Sequence, residues 1–65
     1  MSIAKVIEVI AEGDSIQEAT DNAVKDAAKS VKQIQSIYVE GIQGIVKDDK
    51  IEKYRVNAKV TFVVK

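Results

Sequence analysis

The 65-residue sequence contains no cysteine, proline, histidine or tryptophan, and each absence removes some chemistry before any pattern is read. Without cysteine there is no disulfide staple, thiolate metal site or thiol nucleophile. Without histidine the commonest metal ligand and general base is gone. Ten Lys plus Arg balance ten Asp plus Glu, so no global field draws the chain to nucleic acid or an anionic membrane. No apolar run approaches the roughly 20 residues of a membrane span. The opening MSIAKVIEVI has neither the basic leader nor the small-residue cleavage pattern of a signal peptide. A cytoplasmic protein with no nucleic-acid or membrane partner is expected. No nucleophile stands beside a base and no glycine-rich loop cradles a phosphate, so the expectation is that the chain is not an enzyme.

What is present is a chain apolar enough to fold, 46% hydrophobic with 31% charged residues. Its length allows one domain, residues 1–65, and a chain this small buries only about 60% of the surface its unfolded form exposes. With staples excluded, oligomerisation is the expected source of the missing stability.

Ile3 to Ile10 is rich in β-branched residues and too short for a stable helix, with Ile7 and Val9 on one face and Val6 and Ile10 on the other. A strand apolar on both faces implies a second covering surface. Ala11 to Asp14 reads as a turn, and Ser15 to Glu18 fits a capping box that starts a helix. Ile16, Thr20, Ala23, Ala27, Val31 and Ile34 then recur at steps of three or four, a stripe suited to close packing on a sheet. The opposite side carries Gln17, Asp21, Asn22, Lys25, Asp26, Lys29 and Lys32, with Asp21 to Lys25 and Asp26 to Lys29 at pairing distance along a helix.

Period two takes over after about Gln33, with Ile37 and Val39 on one face and Ser36, Tyr38 and Glu40 on the other. Gly41 shifts the apolar phase to Ile42, as a bulge does. Lys47-Asp48-Asp49-Lys50 is a connection of hairpin length. Beyond it Tyr54, Val56, Ala58, Val60, Phe62 and Val64 alternate with Lys53, Arg55, Asn57, Lys59, Thr61 and Val63. The even positions are expected on the helix and the odd ones toward water or another subunit. The fold class is α+β, in the order β-α-β-β, with a three-stranded antiparallel-type sheet wrapped around one helix. So long a proline-free third strand has a pairing-competent edge unless something covers it.

Lys5-Val6, the helix from Ser15 to Val31, Ile34 to Val39, Tyr54-Arg55-Val56 and Val60-Thr61-Phe62 together resemble the dodecin family over essentially the whole chain. The resemblance implies subunits that assemble as a hollow homododecameric shell and bind a small ligand at their junctions. In flavin-binding members a second-strand tryptophan stacks on the isoalloxazine ring and a third-strand glutamine bonds its polar edge. Ser36 and Arg55 stand at those positions here, and Ile10-Ala11-Glu12 replaces the usual glycine-threonine-serine turn. The resemblance therefore implies a storage protein whose pocket for riboflavin or FMN is altered. The alternative is the branch of dodecin-like proteins without the tryptophan, a structural shell or one that holds calcium. Calcium gains little from the residues themselves, since Asp48-Asp49 lacks the spaced carboxylates of an EF-hand loop.

Three ligand-binding candidates follow. Ser36 lines a junction cavity or is an exposed strand serine. Tyr38, two residues on, offers a replacement stacking surface or fills an interface. Arg55 grips a phosphate with its fork of donors or pairs with Glu40 or Glu8 across the sheet. Lys53, Arg55 and Lys59 form a basic stripe without the interleaved aromatics of a nucleic-acid site.

Overall fold

The alternation from Tyr54 onward decides where the sheet is centred. The computed structural model describes residues 2–64 and runs β1 (Ile3–Gly13), α1 (Ile16–Ala28), β2 (Ile34–Lys47) and β3 (Lys50–Val64). The sheet is antiparallel throughout, in the order β1-β3-β2, which gives the expected α+β class. The strand with the cleanest alternation is the central one, and its even residues Val56, Ala58, Val60 and Phe62 are buried. Both flanks of β3 are paired, so the open edges belong to β1 and β2 and not, as its length suggested, to the third strand.

The helix begins as its capping residues require. Ser15 is the N-cap, its Oγ accepting from the amide of Glu18 at 3.0 Å. The returning carboxylate of Glu18 accepts from the amide of Asp14 at 3.0 Å, one residue earlier than a standard capping box. Ala19, Ala23 and Ala27 face the sheet and are buried. Ala19 is an addition to the expected stripe, while Ile16 and Thr20 lie at its margin. The helix ends at Ala28, short of Val31. Its last turn tightens as the amides of Lys29 and Ser30 bond the carbonyls of Asp26 and Ala27 at 3.1 and 3.0 Å. Gln33, at φ 58°, then swings the chain into β2.

Strand β1 continues to Gly13, past the turn expected at Ala11. Gly13 passes directly under the first turn of α1, where a Cβ would lie 2.6 Å from the Ala19 amide nitrogen and 2.9 Å from the Glu18 carbonyl carbon. Its glycine serves close approach and not a bend. The strand-to-helix connection is correspondingly short, Asp14 and Ser15.

Three irregularities keep the apolar residues of the hairpin on the helix side. The register moves from Ile34↔Phe62 to Ser36↔Thr61 and from Val39↔Ala58 to Gly41↔Asn57, so Gln35 and Glu40 are extra residues in β2. The second is the bulge expected at Gly41, and it brings Ile42, opposite Val56, to the same face as Ile37 and Val39. A third shift, between Ile45 and Val46, makes Glu52 an extra residue in β3. Asp48 and Asp49, at φ 53° and 63°, close the hairpin in the geometry of a type I′ turn.

Gly13→Ala is expected to destabilise the protein by about 1–3 kcal/mol, because the new methyl meets backbone that cannot rotate away. Denaturant unfolding of the two proteins under matched conditions checks this.

Candidate functional site

Cross-strand partners share a face of the sheet, so the register states which outward side chains meet. On the face away from α1, Ser36 stands opposite Thr61, Tyr38 opposite Lys59, and Gln43 opposite Arg55. Ser36 and Tyr38 are neighbours on that face, as their spacing implied, and Tyr38 is 69% exposed. The other two aromatic side chains, Tyr54 and Phe62, lie toward the helix. Arg55 shares the face but not the neighbourhood. Lys59 is four positions along β3 from it, about 13 Å at strand rise, and Thr61 is about 20 Å away. One chain therefore does not unite the three candidates.

Arg55 has a partner that neither sequence alternative included. Its Nε and Nη2 donate to Glu12 Oε2 at 2.8 and 2.6 Å, and Lys53 Nζ lies 2.8 Å from Glu12 Oε1. Glu12 is opposite Arg55 in the ladder, whereas Glu40 goes to Lys59 at 3.6 Å. The residue was hidden because Ala11 to Asp14 reads as a turn, while a β1 that continues to Gly13 puts Glu12 on the outward face between two cations. Hydrogen bonds from Lys53 first, and then from Arg55, hold the Glu12 carboxyl below its ordinary range, and Glu12 holds the Lys53 ammonium above its own.

A groove of about 470 Å³ runs between β1 and α1, lined by Ile10, Ala11, Asn22, Lys25, Asp26 and Lys29. It contains none of the three candidates. The helix face above it is less uniformly solvated than its composition suggests, since Asn22 Nδ2 donates to the Glu12 carbonyl at 2.8 Å and ties the helix to the strand. Asp21 accepts from Gln17 at 3.0 Å. Asp26 and Lys29 approach to 4.0 Å at the exposed surface. Among the described residues no three acidic side chains gather as a cation site, and no helix is long and apolar enough to cross a membrane.

Comparison with known proteins gives one consistent result. The family model described as Dodecin matches residues 3–65. The structure of dodecin from Streptomyces coelicolor superposes with a TM-score of 0.91 at 23% identity, over 98% of this chain and 93% of that one. For dodecin from Streptomyces davaonensis the TM-score is 0.92 at 18% identity, over 98% and 96%. A protein from Thermus thermophilus gives 0.92 at 20% identity, over 100% and 97%. Identities this low establish the shared fold. None of the curated proteins compared with the chain matches it.

The ion cluster predicts a pH signature. Because the folded-state pKa of Glu12 is depressed, its contribution is present above the ordinary carboxylate value and is lost as pH falls through the folded one. The contribution of Lys53, whose pKa is raised, is lost as pH rises through its folded value. Glu12→Gln is expected to be less stable than the native chain at neutral pH and to converge with it in acid. Urea midpoints of both proteins across the pH range check this, and high salt is expected to shrink the neutral difference.

Proposed function

The chain belongs to the dodecin family, and from that premise we propose that it is a cytoplasmic, homo-oligomeric shell of the dodecameric type that binds and sequesters a small ligand without turning it over. The whole chain acts as one dodecin domain. The ligand class is a flavin held in an altered pocket at a junction between copies, with Ser36, Tyr38 and Arg55 as the contributing residues. The single observation that carries this reading is the Tyr38 ring standing exposed beside Ser36 on the open face of the sheet. A phenol ring there supplies the π surface that serine lacks. Stacking of this kind is worth about 1–3 kcal/mol per ring by analogy with nucleobase platforms.

Assembly is part of the proposal because one chain separates Arg55 from Tyr38 and leaves both on the open face of the sheet. A second copy brought to the same face would surround a planar ligand from both sides. Arg55 is already engaged by Glu12, so a phosphate arriving there meets a carboxylate as well as a guanidinium. That arrangement favours riboflavin over FMN.

A second reading, a structural or calcium-holding shell, draws on the absence of an indole at Ser36. It would need carboxylates from several copies, because no three acidic side chains gather within one chain among the described residues.

Equilibrium dialysis of the sized protein against riboflavin and FMN separates the two. The flavin reading expects saturable micromolar binding, tighter for riboflavin, with Tyr38→Ala losing about tenfold or more, the equivalent of about 1.4 kcal/mol. Glu12→Gln is expected to narrow the gap between the two ligands. An assembled particle that binds neither flavin supports the second reading.

A further inference from the structure

We propose that the β2–β3 hairpin beyond Tyr54 is an arm that docks in the groove between β1 and α1 of a second copy of this chain. The inference rests on the oligomeric reading above and names the surface that makes it. Strand β1 ends where Gly13 pairs with Tyr54, and only Ile45↔Lys53, Val46↔Ile51 and Lys47↔Lys50 continue the ladder. The helix spans about 20 Å at 1.5 Å per residue, whereas β3 spans about 50 Å, and the molecule is 52 Å long but only 18 and 14 Å across. The end of the hairpin is thus a two-stranded ribbon with no third strand and no helix on it. Ribbons of that kind are marginal in water unless something covers a face.

The arm is built to present one apolar face. Ile51 stands three positions before Tyr54, so regular alternation would put it on the side opposite Tyr54, and Glu52 is the extra residue that a bulge absorbs. With it, Ile51 pairs with Val46 on the helix-side face, in line with Ile42. Val46 is 64% exposed and Ile51 55%. Gly44 completes the surface, because Ile51 lies over it and a Cβ there would come within 3.3 Å of Ile51 Cδ1. Among the described residues no helix or further strand lies on this face.

The groove between β1 and α1 suits it. Ile10, 68% exposed, and Ala11 line it from β1, and the aliphatic stems of Lys25 and Lys29 extend its apolar rim. The tip is neutral as a whole and the groove carries one net positive charge, so the tip carboxylates can meet groove ammonium groups without a net repulsion. The tip of the arm carries the adjacent carboxylates Asp48 and Asp49, flanked by Lys47 and Lys50. The groove carries Lys25 and Lys29 around a single Asp26. Arm and groove occupy different parts of the same chain, so the contact is heterologous, and its repetition closes a ring where the rotation between copies returns to the start.

The cysteine-free chain makes the test direct. Val46→Cys, Lys25→Cys and the double variant are assembled, oxidised and run on a denaturing gel without reductant. The proposal expects a ladder of linked chains from the double variant and single chains from each single variant. Self-linking of Val46→Cys alone would mean that arm meets arm and would overturn it. So would a double variant that sediments as a large particle but yields no ladder. A native chain that sediments as a monomer overturns the oligomeric reading itself, so the two failures are distinguishable.

Discussion

Everything in this molecule depends on how closely an alanine face can lie against a valine strand. Ala19 and Ala23 of α1 pack with Val56 of β3, and Ala27, Ala58 and Val60 are buried on the same two faces. Close contact of that kind excludes water efficiently but buries little area per residue, and apolar area is what drives folding. The private core is therefore small even for a chain of this length. Larger apolar side chains, among them Val6, Ile10, Ile42, Val46 and Ile51, remain on the surface. A narrow core and a generous apolar exterior are two sides of one choice, and both point toward stability shared between copies.

The outward face shows how a charge cluster joins fold and site. Glu12 sits at the end of β1 only because Gly13 permits that strand to run beneath the helix, and Asn22 binds the Glu12 backbone from the other side. The side chain of Glu12 then holds Lys53 and Arg55. Packing at a glycine, a helix-to-strand hydrogen bond and the disposition of the basic stripe are consequences of the same three or four residues. Any ligand that uses Arg55 must contend with that arrangement.

The sequence discloses elements and faces well and long-range partners badly. The alternation of β3, the cap at Ser15, the bulge before Gly41 and the hairpin at Asp48-Asp49 all rest on neighbours in the chain, and they stand where expected. The errors share a different cause. Ala-Glu-Gly-Asp has turn composition, and only the helix lying over Gly13 reveals that its glycine provides clearance. The partner of Arg55 is 43 positions away and depends on the full β1–β3 register, which no local pattern specifies. Ala19 escaped notice because an alanine carries too little hydrophobic signal to choose between adjacent stripes. Of the candidate site, the shared face of Ser36, Tyr38 and Arg55 was legible, and their separation along the strand was not.

The extra residue at Glu52 has a wider meaning. Side chains in a strand have only two settings, and Ile51, three positions before Tyr54, takes the same one as Tyr54 because the bulge absorbs Glu52. Deleting Glu52 would straighten the ladder and leave Ile51 two positions from Tyr54, still opposite Val46 and on the same side. The greasy side of the hairpin would keep its direction, and only the local twist of the bulge would be lost. Where sequences in such a fold differ by one residue at this point, a bulge gained or lost with that residue leaves the surface pointing the same way.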